Sequence, residues 1–222
     1  MESGTTATRY NAERPGTSAT NDRWCYVLAI MAIATYAQLR GEGGVVAERR
    51  VKLARSLAEK DLFLSYSHKD AAHVRPALGL LEQHGANVYV DLQDGGIKGL
   101  AGSDIAARLR QTVRRCRRLV VIVSDQTGSS RWIPWEMGLA DGIAGSDHVA
   151  LLPLRPGPSA STLWLNQKYF DLYARIERVT LEGERCWGVR DPSDGKYWRL
   201  ERWIEITKRR LSPGHAPRGT HK

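Results

Sequence analysis

Three cysteines in 222 residues, Cys25, Cys116 and Cys186, are too few, too far apart and odd in number for a disulfide framework or a metal knuckle, and they point to a reducing compartment. His68, His73, His84 and His148 show no ligand spacing, so no metal site is expected. There is no Walker loop, and Gly95, Gly96 and Gly99 do not match the glycine spacing of a dinucleotide fold. Internal repeats and low-complexity tracts are lacking too. So is a long hydrophobic run. The most apolar stretch, residues 24–39, has sixteen residues between Arg23 and Arg40. As a helix it would reach about 24 Å, against a hydrocarbon core of roughly 30 Å, which favours a helix buried on the domain or on another subunit over a membrane span. Acids are outnumbered, with 24 Asp and Glu against 33 Lys and Arg and a net charge of +9. Such a balance suits an anionic ligand, an acidic partner or nucleic acid, and it is also common as plain solvation. Arg108, Arg110, Arg114, Arg115, Arg117 and Arg118 surround one helical segment and read first as a solvated face, with nucleic acid the last choice.

What is present is ordinary for a soluble globular chain: 42% hydrophobic and 26% charged residues, enough for one good-sized domain with appendages. Residues 1–22, polar and nearly free of large apolar side chains, are expected to be disordered, and they lack the basic start and cleavage site of a secretory signal. The apolar stretch 24–39, a break at 41–44 and a basic helix over 45–60 form an expected helical extension spanning 23–60. From Asp61 short apolar runs alternate with helical patterns. Strands are expected at 62–64, 88–90, 119–123 and 149–154. A helix carrying Val74, Leu78 and Leu81 ends at Gly85, and a second buried stripe runs through Ile105, Leu109, Val113 and Cys116. A long glycine-containing loop covers 93–103. The alternation implies an α/β fold with a parallel sheet covered on both faces. A short strand is expected near 187–191, a turn at 192–195 and a helix over 196–211 with Trp198, Trp203 and Ile206 inward. The main domain is set at 61–211 and a frayed tail at 212–222.

One acid stands out. Ser130, Arg131, Trp132, Ile133, Pro134, Trp135 and Glu136 follow the run 119–123 and open a helix, with Ser130 as N-cap and Pro134 early enough to need no amide proton. Glu136 therefore falls in the first turns, near the carboxyl end of a strand, where open α/β sheets bind ligands. Two readings stand at this point: a site acid, or a carboxylate that merely favours the positive end of a helix.

The order Asp61-Leu62-Phe63-Leu64-Ser65-Tyr66-Ser67-His68-Lys69-Asp70, then Val88-Tyr89-Val90-Asp91, then Gly102-Ser103-Asp104-Ile105, then the run to Ser124 and Ser130-x-Trp132-x-x-x-Glu136 resembles a TIR (Toll/interleukin-1 receptor) domain over roughly 61–155. Its wording around Trp132 and Glu136 is similar to bacterial stand-alone TIR proteins, including those of anti-phage Thoeris systems. The resemblance implies a flavodoxin-like α/β sandwich and cleavage of the nicotinamide–ribose bond of NAD⁺, which is substrate and not a resident cofactor. It implies Glu136 as the catalytic residue, a nucleotide pocket lined by Ser65, Tyr66, Ser67 and Lys69, with Tyr66 near the nicotinamide or its ribose, and Trp132 in the wall. Asp91 is either a strand-end cap or a further pocket residue. Loop 93–103 would serve head-to-tail assembly into a homo-oligomer, and an ADP-ribose-type product would act on a separate effector in the cytoplasm.

The chemistry suits these residue types. Loss of nicotinamide leaves positive charge on the ribose, which one carboxylate can stabilise, and neutral nicotinamide needs no general acid. Aromatic faces from Tyr66, Trp132 or Trp135 could meet the cationic ring, and Lys69 a phosphate. Against this stand plain structural roles: Ser65 and Ser67 as turn residues, Tyr66, Trp132 and Trp135 as packing, Lys69 as a solvated surface charge. A non-enzymatic TIR adaptor and a transferase acting on free nucleosides remain the alternative functions.

Overall fold

The computed structural model describes residues 33–44, 60–90, 102–116, 118–127, 130 and 132–210, with side chains as far as 206. In chain order the elements are β1 (Ala34–Thr35), α1 (Tyr36–Gly43), β2 (Leu62–Ser65), α2 (Ala71–Gln83), β3 (Val88–Val90), α3 (Gly102–Cys116), β4 (Leu119–Val123), α4 (Ile133–Ala144), β5 (Val149–Arg155), β6 (Ala174–Leu181), β7 (Glu184–Arg190), β8 (Tyr197–Arg199) and α5 (Leu200–Arg210). Short 3-10 turns, one of them His68–Asp70, join them.

β4 shows why the sheet is central. Its sequence Leu-Val-Val-Ile-Val is apolar at every position and fully buried, as a strand covered on both faces requires. Along the sheet the order is β3-β2-β4-β5-β6-β7-β8, parallel from β3 to β6 and antiparallel beyond. Counted from β2, the parallel strands follow the 2-1-3-4-5 order of flavodoxin-like folds, which puts the topological switch point between β2 and β4. The α/β fold expected from the alternation is the one that forms.

Strand alternation divides the core in two. Leu62, Leu64, Val120, Ile122, Ala150 and Leu152 face Leu39 of α1, Val74, Leu78 and Leu81 of α2, and Leu200 and Ile204 of α5. Phe63, Val121, Val123, Val149 and Leu151 face Ile105, Leu109, Val113 and Cys116 of α3 and Ile133, Met137 and Ala140 of α4. Both helical stripes seen in the sequence are thus the buried faces of α2 and α3. α2 ends as expected at Gly85, whose φ of +90° lets the Gly85 and Ala86 amides return to the carbonyls of Glu82 and Leu81. Cys116 and Cys186 are free thiols.

Several expectations are corrected. Residues 34–35, assigned to a helix over 24–39, form β1, paired parallel with Leu154 and Arg155 of β5. The helix starts only at Tyr36, under a Thr35–Gln38 capping box, and it continues through Gly41 to Gly43. Gly102 and Ser103, placed in the long loop, begin α3. After β5 come two 3-10 turns, Leu163–Asn166 and Lys168–Leu172, and β6 then runs into β7 through a tight Glu182–Gly183 turn in which both residues have positive φ. β7 is consequently longer than the short strand expected at 187–191. Tyr197–Arg199, taken as helix, is the edge strand β8, and Ile204 joins Trp203 as an inward residue of α5. Residues 1–32, 45–59, 91–101, 117, 128–129, 131 and 211–222 lie outside the described residues. These include Asp91, the basic helix over 45–60 and most of loop 93–103. No helix among the described residues is long and apolar enough to cross a membrane.

Candidate active site

At the switch point the ends of β2 and β4 open toward the loops that lead into α2 and α4. Ser65 is the last residue of β2, level with Val121 of β4, and it lies on the sheet face covered by α3 and α4. β4 ends at Val123, and the chain returns as α4 from Ile133. Trp132 takes the N-cap position and makes no side-chain cap. Ser130, expected there, sits two residues earlier but still accepts the Ile133 amide at 3.3 Å. Pro134 occupies the first turn, where its missing N–H costs nothing. The Glu136 amide closes the first helical bond on the Trp132 carbonyl at 2.8 Å.

The first turn of α4 turns Glu136 inward. Its exposure is 1%, unlike a carboxylate that only decorates a helix end, and its Oε2 accepts a hydrogen bond from Ser65 Oγ. The two residues are 71 positions apart in sequence. A buried acid is costly unless its oxygens are bonded, so the serine at the strand end and the acid at the helix start form a single unit across the crevice.

The other sequence-derived candidates are distributed around this pair. Tyr66 is buried in the cluster with α1 and α2, on the opposite face of the sheet from α4. Ser67 is buried too, and its Oγ has no hydrogen-bond partner among the described residues. Lys69 is exposed on the 3-10 turn. Trp132 is half-buried, edge-on to Trp135 at 5.8 Å, and the Arg110 guanidinium lies 5.5 Å from the Trp135 ring. Ser65 and Glu136 are therefore brought into contact, Tyr66 is turned away into the core, and Lys69 stays at the surface.

Sequence reasoning missed a second polar cluster on the α1 and α2 side. Asp70 takes the N-cap position of α2 but makes no side-chain cap bond. Although 1% exposed, it accepts the Ser124 hydroxyl through Oδ1 at 2.7 Å. Burial holds its carboxyl above the ordinary carboxylate range, with the Ser124 bond opposing and Asp125 reinforcing the shift. Tyr36 of α1 reaches Asp125 at 3.4 Å and stacks on His73 of α2, with ring centroids 3.9 Å apart. Burial, then Asp125 and Asp70, raise the Tyr36 phenol, while burial and Arg40 lower His73. The available signal was that Asp70 and Ser124 each follow a strand of the sheet centre. Among the described residues no group of three or more His, Cys, Asp or Glu could hold a metal ion.

Comparison with known proteins adds to this geometry. A family described as TIR domain matches residues 62–186. A probable 3′ cyclic ADP-D-ribose synthase, ThsB′, of Bacillus cereus (strain MSX-D12) is 30% identical over 150 residues, covering 65% of this chain and 75% of that protein.

Proposed function

The chain belongs to the TIR domain family, and from that premise we propose that it cleaves the nicotinamide–ribose bond of NAD⁺ with Glu136 as the catalytic carboxylate. The observation that carries the reading is the buried Glu136 carboxylate hydrogen-bonded to Ser65 at the switch point of the sheet. The name of the Bacillus relative supports the choice of substrate.

As the C1′–N1 bond breaks, its electron pair moves to the pyridinium nitrogen, and nicotinamide departs neutral. Positive charge then spreads over C1′ and the ring oxygen of the ribose. A carboxylate fixed by a hydrogen bond stabilises that charge better than mobile water does, because its orientation costs nothing at the moment of reaction. Ser65 holds one carboxylate oxygen and so limits which way the group can turn. Attack by water, with loss of its proton, yields ADP-ribose. Attack by a hydroxyl of the same ligand, also with loss of a proton, yields a cyclic ADP-ribose one water lighter. Cyclisation is the outcome favoured by the relative's name. Ser67, Lys69 and Trp132 stand nearest in sequence to line the pocket, and Asp91 keeps the role implied by the resemblance. The reaction calls for no resident cofactor. Assembly into homo-oligomers, a separate effector that reads the product, action in anti-phage defence and a cytoplasmic location complete the proposal.

The test is incubation of wild type and Glu136→Gln with NAD⁺, alone and with lysate of phage-infected cells, followed by mass spectrometry of the products. Turnover should fall by at least about 100-fold in the variant, the scale of losing a preorganised electrostatic group. Undiminished turnover in Glu136→Gln would remove the glutamate from the mechanism. A folded wild type that leaves NAD⁺ intact under every condition would favour the non-enzymatic adaptor.

A further inference from the structure

The crevice between β2 and β4 is bridged twice. On the α3/α4 face Ser65 holds Glu136; on the α1/α2 face Asp70 holds Ser124. The second bridge begins a series of hydrogen bonds among the described residues of the connection from β4 to α4. Ser124 Oγ donates to Asp70 and accepts the Gln126 amide at 3.0 Å. The Ser124 amide donates to Thr127 Oγ1 at 2.7 Å, and the Thr127 amide returns to the Ser124 carbonyl at 3.1 Å. The Ser130 amide then bonds the Thr127 carbonyl at 2.9 Å, Ser130 Oγ accepts the Ile133 amide, and the Trp132 carbonyl accepts the Glu136 amide. Each link joins residues close in sequence, except the first. Asp70 to Ser124 spans 54 positions and ties the start of the connection to the start of α2.

That anchor is unusual in its cost. Asp70 is a carboxylate almost without exposed surface, and its Oδ2 has no hydrogen-bond partner among the described residues. A buried acid at the head of a helix that does not cap that helix is poorly explained by helix stability. It is well explained by what it holds. The same connection is braced from α1, where Tyr36 bonds Asp125 and stacks on His73.

We propose that Asp70 and Ser124 are a positioning pair for the reaction: their hydrogen bond fixes the β4–α4 connection against α2 and thereby sets where Glu136 presents its carboxylate. The inference rests on the NAD⁺ reading for its kinetic consequence and on hydrogen bonding alone for its structural one. Neither residue touches the reacting atoms. Loosening the anchor shifts the connection that carries both Trp132 and Glu136, and the chemical step, which depends on where the acid sits, suffers more than ground-state binding.

The experiment compares wild type, Asp70→Ala, Asp70→Asn, Ser124→Ala and the double variant Asp70→Ala/Ser124→Ala. It measures kcat and KM for NAD⁺ and amide hydrogen exchange at Gln126, Thr127, Ser130 and Glu136. A displacement near 1 Å can cost about 100-fold, so Asp70→Ala and Ser124→Ala should each lower kcat by about 10- to 100-fold with KM within about threefold of wild type. Asp70→Asn keeps an oxygen acceptor for the Ser124 hydroxyl and should recover to within about threefold of wild type. Because the two side chains act through one bond, the double variant should lose no more than the worse single variant. Exchange at the four amides should rise by at least about tenfold in Asp70→Ala while the β4 amides stay protected.

A folded Asp70→Ala with wild-type kcat, a loss carried by KM, an Asp70→Asn as impaired as Asp70→Ala, or additive losses in the double variant would overturn the proposal. Should Asp70→Ala not fold, Ser124→Ala and Asp70→Asn carry the same comparison. Should wild type not cleave NAD⁺, or Glu136→Gln cleave it fully, the NAD⁺ reading fails separately. The exchange measurement then decides the positioning pair, and unchanged protection in folded Asp70→Ala or Ser124→Ala refutes it.

Discussion

Adding a single methyl group at Gly43 should weaken the fold measurably. Gly43 is the last residue of α1, and a Cβ there would lie 2.1 Å from the Pro76 carbonyl oxygen, 2.7 Å from its carbon and 2.8 Å from Pro76 Cα. All three are backbone atoms of α2, so no side-chain rotation relieves the clash. Ordinary contact begins near 3.4 Å, and α1 must therefore withdraw from α2 by about 1 Å. The helix is not free to withdraw. Glu42 accepts Trp187 Nε1 and pairs with Arg178, each at 2.7 Å, and Tyr36 at the other end is stacked on His73. Forcing extra volume into a packed interface costs about 1–3 kcal/mol, and a rigid obstacle puts Gly43→Ala at the upper end. For a domain of this size that is a fall in Tm of about 5–10 °C. Gly41, exposed on the same helix, meets nothing within 4 Å, and Gly41→Ala should be neutral or gain up to about 1 kcal/mol from helix propensity. Thermal melts of the two variants beside wild type make the assay. Equal melting of Gly43→Ala and wild type would show that α1 does not pack as described, and a fall in both variants would mean the loss is not steric.

Three further outcomes are expected. Ser65→Ala removes the hydroxyl that holds Glu136, and a hydrogen bond to a charged group is worth about 1.5–3 kcal/mol, so NAD⁺ turnover should drop about 10- to 100-fold; wild-type turnover would exclude a role for the bond. Arg118 is buried, pairs with Asp61 at 2.8 Å and donates to the Ile204 carbonyl at 3.1 Å, so Arg118→Ala should lower stability by about 3 kcal/mol, read as an earlier urea midpoint. An unchanged midpoint would place the pair among those of no consequence. Burial holds Glu177 above the ordinary carboxylate range against the Tyr197 hydroxyl at 2.9 Å and the nearby Arg175 and Arg190. An acid raised by folding contributes stability below its unfolded pKa and loses it as pH climbs through the folded value. Glu177→Gln keeps an acceptor and has no such proton to lose, so its Tm advantage over wild type should grow between about pH 4 and pH 7, and a flat or shrinking difference refutes the assignment.

Much of the site was legible because it is local. The run Leu119–Val123, the turn after it, Pro134 in the first helical turn and Glu136 two residues later are consecutive, and short-range backbone rules fix them. The stripes of α2 and α3 follow from helical spacing in the same way. The β6–β7 hairpin was missed because Glu182–Gly183 is a weaker turn signal than Asn-Gly, and β8 because Trp198 and Trp203 fit a helix pattern as readily as a strand followed by a helix.

The sequence by itself determined which segments become strands and helices around the sheet centre, the burial of the 119–123 strand and the delivery of one acid to a strand end, since each depends on neighbours a few residues away. Only the tertiary structure decided that Glu136 meets Ser65 across 71 positions, Asp70 meets Ser124 across 54, Tyr36 meets Asp125 across 89 and Glu42 meets Trp187 across 145. Those meetings are set by strand order and register. Placing β2 beside β4 at the switch point brings two distant loops to one crevice, and no local spacing rule carries that information.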